Sequence, residues 1–349
     1  MTIIQHLIVD EFGAFIGKHS ECILVTKDDQ KLAQAPLIHL ELILVANRGI
    51  SLSADAIREC TERGIPIFFV SGSGTPYASL YSAALTGTIA TRRAQLHAYT
   101  TTLGVNAVLA FGSGKLQNQA NLLKYIAKYR KQTQPQLYHE LRRAAQEIEN
   151  QIGELAFYRT LPEFRSGSLT IENIREQLLG IEGLAAERYW NAVRQIVPPQ
   201  YAFPGRLRRG CSDPVNAALN YGYGILYGQI ERCLVLAGLD PYAGFLHSDR
   251  PGKPSMTLDF IEEFRPVIVD RTILAMANRG VHFEQNTDYR LTKEFRRQLA
   301  EAIFNRLETS VEYEGKRQVL RNVLQMQARH LAAYLRCERS AYQPFILSW

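Results

Sequence analysis

The 349-residue sequence lacks the features of a membrane protein, a disulfide-rich protein and a structural zinc protein. It contains no run of about 18 apolar residues, which a membrane-spanning helix requires. Its five cysteines are scattered, odd in number and never arranged as Cys-x-x-Cys, which argues against disulfides and zinc. It has no Gly-rich phosphate loop, and the start MTIIQHLIVDEFGAF lacks the pattern of a signal peptide. We therefore expect a soluble, cytoplasmic protein without membrane association.

Charge is distributed unevenly along the chain, whose net charge is +6. Residues 1–90 contain six basic and nine acidic residues, whereas the remainder contains 34 basic and 25 acidic residues. The positive surplus therefore lies entirely in the C-terminal part. Such a surplus is compatible with a nucleic-acid partner, but it is also common in proteins that bind nothing charged. Charge alone leaves both possibilities open.

Hydrophobic patterning divides the chain into two parts. The first contains the short β-type runs HLIVD, GAFIG, ECILVT, LELILVA, IPIFFVSG and PYASLY, with one helix predicted between the N-cap Ser53 and Gly64. Long helical patterns follow, and the clearest begins at Asp213 and ends at Gly238. The sequence predicts an α+β fold: a small β-rich N-terminal domain (1–88) followed by a larger all-helical C-terminal domain (89–349).

The segment GFLHSDRPGKPSMTLDFIEEFRP, residues 244–266, combines one histidine with three acids. If a helix begins near Ser255, then Asp259, Glu262 and Glu263 lie on one side of it, at i, i+3 and i+4. The Gly/Pro-containing segment before this helix can bring His247 back to the acidic turn. Proline at position 266 predicts that the helix bends or ends just past the acids. Spacing alone favours a simpler interpretation, a loop histidine and a solvated helix face.

Glu182, in QLLGIEGLAAERYW, is a further candidate ligand. It lies in an apolar helical run between Gly180 and Gly183. Glycine inside a helix costs about 1 kcal/mol relative to alanine, so we expect these glycines to admit the close approach of another backbone. Alternatively, Glu182 pairs with Arg175 or Arg188. One imidazole and two carboxylates suit Mn²⁺ or Mg²⁺, but spacing does not connect Glu182 to the other candidates.

Basic residues offer candidate phosphate contacts. Arg206, Arg208 and Arg209 lie in the loop FPGRLRRG, which leads into the helix predicted at Asp213. Such a loop is well placed to bind phosphates, although charged loops are usually only solvated. The same two interpretations apply to the basic residues that recur along the helices, which include Lys115, Lys124, Lys128 and Lys131.

Six motifs resemble the CRISPR-associated Cas1 family of metal-dependent DNA endonucleases and integrases. They are EFGAFIGKHSE, ANRGISLSADAIRECTERGIPIFFVSGSG, LLGIEGLAAERYW, SDPVNAALNYGYGIL, GLDPYAGFLH and LDFIEEFRPVIVDR. They occur in the family's order and extend from about residue 8 to about residue 275. The sequence after about residue 280 resembles the family less specifically.

The resemblance implies a metal site and a reaction. Glu182, His247 and Glu262 match the family's ligands for Mn²⁺ or Mg²⁺, Asp259 matches a supporting acid, and Glu263 is expected to be a solvated charge. In the implied reaction, the 3′-hydroxyl of a short DNA fragment attacks a phosphodiester at the end of a CRISPR repeat. The same site is expected to cut DNA.

The resemblance also implies partners, namely double-stranded DNA, a second copy of the chain bound through the N-terminal domain, and the small protein Cas2. Two functions from other classes remain as alternatives. A catalytically inactive nucleic-acid-binding scaffold is disfavoured because all three ligand positions are intact. A metal hydrolase of a smaller phosphoester is disfavoured by the charge distribution and by the missing phosphate loop.

Overall fold

The computed structural model describes residues 4–72, 74–80, 89–207, 210–248 and 250–348. Within these ranges, the N-terminal part contains eight strands and one helix. Their bounds are β1 His6–Val9, β2 Phe15–His19, β3 Cys22–Lys27, β4 Gln30–Pro36, β5 Leu42–Val45, β6 Ser51–Leu52, α1 Ala54–Glu62, β7 Ile67–Val70 and β8 Pro76–Leu80. This part is β-rich, as predicted.

The strands form two four-stranded sheets, with orders β1-β5-β7-β8 and β4-β3-β2-β6. In the first sheet β1, β5 and β7 are parallel, and β8 is antiparallel to β7. All four residues of β5 are buried, because its alternate side chains enter different cores. Leu42 and Leu44 join the core of the helical part, whereas Ile43 and Val45 join the N-terminal core. This sheet therefore packs the two parts of the molecule together.

Local signals located the N-terminal helix correctly. The Ser53 hydroxyl accepts a hydrogen bond from the N–H of Ala56 at 3.1 Å, and Gly64 adopts a positive φ of 70° just past the helix. Strand β4 was not predicted, because the apolar residues of its sequence QKLAQAP do not alternate regularly with polar ones. Tyr81, the last residue of the predicted run PYASLY, lies outside the described residues.

The C-terminal part is mostly helical. Its bounds are α2 Ile89–Ala98, α3 Thr102–Lys128, α4 Pro135–Phe157, α5 Pro162–Arg165, α6 Ile171–Ile196, α7 Pro214–Leu236, α8 Ser255–Phe260, α9 Arg271–Asn278, α10 Lys293–Leu307, β9 Ser310–Tyr313, β10 Lys316–Val319 and α11 Leu320–Leu335. The α+β fold class is confirmed. The β9–β10 hairpin was not expected in an all-helical part; it turns at Glu314 and Gly315, which both have positive φ.

The chain between Ser255 and Asn278 changes helix type along its length. α8 is followed by a 3₁₀ turn at Ile261–Glu263, a π turn at Pro266–Asp270, and then α9. The predicted bend past the acids is therefore misplaced, because α8 ends before Glu262 and the chain stays helical beyond Pro266. No helix of the described residues is both long and apolar enough to cross a membrane.

Candidate active site

Lys115 joins two of the acids proposed as metal ligands. It lies on α3, and its side chain is 13% exposed. Its Nζ is 3.0 Å from Oε2 of Glu182 on α6 and 2.9 Å from Oε2 of Glu262 in the 3₁₀ turn. The two carboxylates are therefore neighbours across one ammonium group. The alternative prediction that Glu182 pairs with Arg175 or Arg188 is wrong, since each arginine pairs with a different glutamate.

Gly112 on α3 permits the close packing of α4, which carries Leu155, and lies in ordinary contact with Glu182 of α6. A Cβ atom at position 112 would lie 3.1 Å from Cδ1 of Leu155 and 3.5 Å from Oε1 of Glu182. The sequence assigned a close approach to Gly180 and Gly183 instead, and the described residues of this chain supply none. A Cβ atom at either position meets nothing within 4 Å, and both glycines are exposed. The surface of α6 beside Glu182 is therefore open.

Glu262 lies in a positive environment. It is buried, and Nη1 of Arg265 lies 2.5 Å from its Oε1 while Lys115 contacts its Oε2. Burial raises the pKa of the Glu262 carboxyl. The positive charges of Arg265 and then Lys115 outweigh burial, with a smaller contribution from His247, and lower the pKa to about 2. Glu262 is therefore ionised at neutral pH, and His247 lies near enough to act on it electrostatically.

Asp259 orients His247. Its carboxylate is completely buried, and its Oδ1 lies 2.6 Å from Nδ1 of His247. It also accepts hydrogen bonds from the backbone N–H groups of Phe245, Leu246 and His247, at 2.6, 2.9 and 3.0 Å. In the neutral imidazole, a proton on Nδ1 donates to Asp259 and leaves the lone pair on Nε2. A histidine held in this way by a carboxylate is typical of metal sites.

Arg175 fixes the loop that carries His247. Its Nε donates to the carbonyl of Leu246 at 3.0 Å, and its Nη2 donates to the carbonyl of Phe245 at 3.1 Å. Arg175 lies about two turns before Glu182 on α6. One helix therefore positions both the glutamate and the histidine loop.

The three proposed ligands approach one region without meeting at a point. Glu182 and Glu262 converge on Lys115, but in the described part of the chain Glu182, His247 and Glu262 do not form a group with ligand atoms within 4.8 Å of one another. The ammonium of Lys115 lies in the space between the two carboxylates. A divalent ion bound by both would take its place.

Another set of side chains, His6, Glu41 and Glu308, does have its potential ligand atoms within 4.8 Å of one another. Arg321 pairs with both glutamates. Burial and then the charge of Arg321 lower the pKa of His6 to about 4. This group is an ion-pair network that joins β1 to the end of α10.

Glu263 is buried, which contradicts the prediction of a solvated charge. One of its oxygens accepts a hydrogen bond from the hydroxyl of Tyr342 and the other from the N–H of Phe345, each at 2.5 Å. Burial raises the pKa of Glu263 to about 8, although both hydrogen bonds lower it. The prediction that Asp259, Glu262 and Glu263 share one face is therefore wrong. It required one continuous α-helix, whereas the tighter 3₁₀ turn at Ile261–Glu263 directs Glu263 inward.

Arg206 lies against the start of α7. Its Nη1 donates to Oδ1 of Asn216 at 2.9 Å, and its Nη2 donates to Oδ1 of Asn220 at 2.7 Å. These contacts fix the loop before α7, and phosphate binding by Arg206 stays a prediction. Arg208 and Arg209 lie outside the described residues.

Sequence reasoning did not assign the roles of three cations of this site, namely Lys115, Arg175 and Arg265. Spacing groups Lys115 with ordinary lysines of helix surfaces. A signal is nevertheless present, because Lys115 follows Gly112 and Gly114 in the largely apolar run of α3. A lone lysine beside two glycines in a buried helix indicates a specific partner for its charge.

Comparison with known families identifies the chain. A family model for CRISPR associated protein Cas1 matches residues 7–305. The CRISPR-associated endonuclease Cas1 1 of Archaeoglobus fulgidus is 34% identical over 356 residues, which covers 99% of this chain and 100% of that protein. The predicted family is therefore confirmed, and so are the predictions of an endonuclease and of a function in CRISPR adaptation.

Solved structures share the fold. A casposase bound to its integration product aligns with a TM-score of 0.77 at 21% identity, over 97% of this chain and 93% of that one. A Cas6-RT-Cas1–Cas2 complex aligns with a TM-score of 0.73 at 21% identity, over 99% of this chain and 37% of that one. On the evidence of its sequence and its fold, this chain belongs to the Cas1 family of CRISPR-associated proteins.

Proposed function

We propose that this chain is a divalent-metal-dependent DNA endonuclease and integrase that inserts short DNA fragments into CRISPR repeat arrays in the cytoplasm. One observation carries the proposal: Glu182 and Glu262 share one cation beside a histidine that Asp259 orients. The site lies in the basic part of a chain of the Cas1 family.

Mn²⁺ or Mg²⁺ is the proposed cofactor, with Glu182, His247 and Glu262 as its ligands. The residues fit such an ion, because the two carboxylates already share a cation and Nε2 of His247 is not engaged by Asp259. A bound ion supplies Lewis-acid stabilisation of the charge that develops on the phosphate and on the leaving oxygen. Its binding requires Lys115 to release at least one carboxylate.

The surrounding residues hold the ligands in place. Arg265 keeps Glu262 ionised, Asp259 holds the proton of Nδ1 on His247, and Arg175 fixes the histidine loop. Lys115 remains a cation inside the site when it leaves a carboxylate. Its ammonium then lies near enough to stabilise negative charge on a phosphate oxygen.

The reaction needs no protein nucleophile. The 3′-hydroxyl oxygen of the fragment attacks the phosphorus of the repeat phosphodiester, a new P–O bond forms, and the bond to the former 3′-oxygen breaks. The number of phosphodiester bonds is unchanged. When water attacks in place of the hydroxyl, the strand is cut. In both reactions the protein holds the phosphate in line for attack.

An open cavity supports DNA as the substrate. It has a volume of about 840 Å³ and borders the segment that follows His247. Tyr77 and Tyr242, which are 62% and 53% exposed, line it together with Arg250 and Lys253. Exposed aromatic rings among cations suit the stacking of bases and the binding of phosphates.

The proposed partners are double-stranded DNA, a second copy of this chain and Cas2. We assign dimerisation to the N-terminal domain (1–88) and catalysis to the helical domain (89–349). The shared fold with a chain from a Cas1–Cas2 complex supports the assignment of Cas2.

An integration assay tests this function. Labelled DNA with a free 3′-hydroxyl is incubated with a supercoiled repeat plasmid, Cas2 and Mn²⁺ or Mg²⁺. We expect Glu182→Gln, His247→Ala and Glu262→Gln each to lose more than ~100-fold in rate, because even residues that support metal ligands contribute 10- to 100-fold. Glu149→Gln is the matched control, since Glu149 also pairs with a lysine of α3 but lies outside the site.

Full activity in any one of the three ligand variants, or in the presence of EDTA, would refute the metal site. DNA binding by wild-type protein without integration or cleavage would favour the scaffold. Hydrolysis of bis(p-nitrophenyl) phosphate without any reaction on DNA would favour the small-substrate hydrolase.

A further inference from the structure

Two grooves on the helical part of the molecule meet at Ser348. The first, of about 470 Å³, lies between the end of α3 and the start of α4. The second, of about 480 Å³, lies between the start of α9 and the β9–β10 hairpin. We define the C-terminal basic surface as six cations that line them: Lys128, Lys131, Arg142, Arg271, Lys316 and Arg317.

Most of these cations have no ion-pair partner among the described residues. Five are exposed and form no side-chain ion pair or hydrogen bond within the described ranges: Lys128, Lys131, Arg142, Lys316 and Arg317. Other exposed arginines do pair, for example Arg58 with Glu62 at 2.9 Å and Arg297 with Glu301 at 3.3 Å. Two of the six lie near an acid, since Glu312 lines the second groove opposite Arg317 and Arg142 acts electrostatically on Glu149. The cations outnumber these acids, and a surplus of like charge attracts an external polyanion.

The C-terminal basic surface is separate from the proposed active site. Lys115 and Lys128 lie 13 residues apart on α3, which corresponds to about 20 Å, and they face different sides of that helix. The C-terminal segment covers α3 between them, where Leu347 donates its N–H to Asn118 and accepts a hydrogen bond from Asn121. The surface therefore does not contact the reacting phosphodiester.

Its composition fits a nucleic-acid backbone. All six members are lysine or arginine, and contacts of these residues to phosphates dominate the affinity of proteins for DNA. A span of about 20 Å equals about six base pairs of duplex. One duplex is therefore long enough to reach from the active site to this surface.

We propose that the C-terminal basic surface binds the phosphate backbone of duplex DNA at a distance from the reacting phosphodiester. It increases the affinity for DNA and takes no part in the chemical step. The identity of the polyanion rests on the proposed function, in which DNA is the substrate.

Duplex binding without divalent ions tests the proposal. Fluorescence anisotropy with a labelled 30-base-pair duplex is measured in EDTA over a range of salt concentrations, for full-length protein. The test variant is Lys128→Gln/Lys316→Gln, which removes one cation from each groove. The control is Arg58→Gln/Arg297→Gln, which removes the same number of charges from ion-paired positions elsewhere.

We expect the slope of log K against log salt to decrease by about 1.8 in the test variant, because each phosphate contact contributes about 0.9. Affinity near 0.1 M salt then falls roughly 60-fold by the same relation. The control should keep the wild-type slope, and both variants should keep the wild-type melting temperature because the replaced residues are exposed. A wild-type slope in the test variant, or an equal loss in the control, would overturn the proposal.

Failure of the proposed function gives a different result. Glu182→Gln should bind the duplex like wild type while it loses integration, and the test variant should integrate at the wild-type rate once DNA is saturating. If wild-type protein bound DNA without any reaction, the proposed function would fail and the anisotropy comparison would still stand.

Discussion

Replacement of Lys115 by methionine keeps most of the side-chain volume and removes the charge that the two proposed ligands share. At 3.0 and 2.9 Å, each contact corresponds to ~5 kcal/mol of attraction at an effective dielectric of about 20, before desolvation is subtracted. Breaking a buried ion pair by removing one partner costs about 3–5 kcal/mol in measured cases. Since Arg265 still pairs with Glu262, we expect Lys115→Met to lose ~3 kcal/mol of unfolding free energy at pH 7.

The pKa of Glu262 decides how the stability loss of Lys115→Met changes with pH. Its pKa is about 2 in the folded protein against an ordinary value of 4.5. A carboxyl whose pKa is lowered by folding contributes stability that is present above its ordinary pKa and is lost as the pH falls toward the lower one. Without Lys115 this pKa rises, so that contribution shrinks. The destabilisation of Lys115→Met should therefore be largest near pH 7 and smaller at pH 4.

Urea denaturation at pH 7 and pH 4, without divalent ions, measures both effects. Lys124→Met is the matched control, because Lys124 lies on the same helix and pairs with Glu149 but is 29% exposed. We expect the control to lose less than ~1 kcal/mol. Added Mn²⁺ should stabilise Lys115→Met more than wild type, since the ion no longer competes with the ammonium. Equal stability of the two variants at pH 7, or a larger cost at pH 4 than at pH 7, would refute this account of Lys115.

Three further predictions concern the neighbouring residues. Asp259→Asn should reduce Mn²⁺ affinity and integration by about 10- to 100-fold, measured by electron paramagnetic resonance titration and the integration assay, because the orientation of His247 changes. In urea denaturation, Glu263→Gln should gain stability relative to wild type by up to ~1.4 kcal/mol per pH unit between pH 5 and pH 8. The reason is that folding raises the pKa of Glu263 to about 8, so the buried carboxylate destabilises wild type as the pH rises. A stability difference that stays constant with pH would contradict this. Arg175→Gln should lose ~1.5–3 kcal/mol of unfolding free energy, and hydrogen exchange at Phe245 and Leu246 should become faster while exchange in α11 stays unchanged.

Local sequence signals determined much of the secondary structure. The N-cap Ser53 and the stop Gly64 bounded α1, and Asp213 and Pro214 began α7, because caps act through hydrogen bonds to residues three positions away. Strand β4 was not predicted because its apolar residues, Leu32, Ala33, Ala35 and Pro36, do not alternate regularly with polar ones. Helical spacing also suggested one face for the acids of LDFIEEF, and the change of helix type after Phe260 removed that face.

The sequence by itself also named the acids and the histidine of the candidate site, through motifs that resemble the Cas1 family. It did not supply what surrounds them. Only the tertiary structure brought Lys115 between Glu182 and Glu262, and only the packing of the C-terminal segment buried Glu263 against Tyr342. These contacts join residues 67 to 147 positions apart, and side-chain spacing carries information about neighbours within a few turns of the same helix. Local pattern therefore identified the chemical groups, and the packing of α3, α6 and the chain after α8 decided their charge partners.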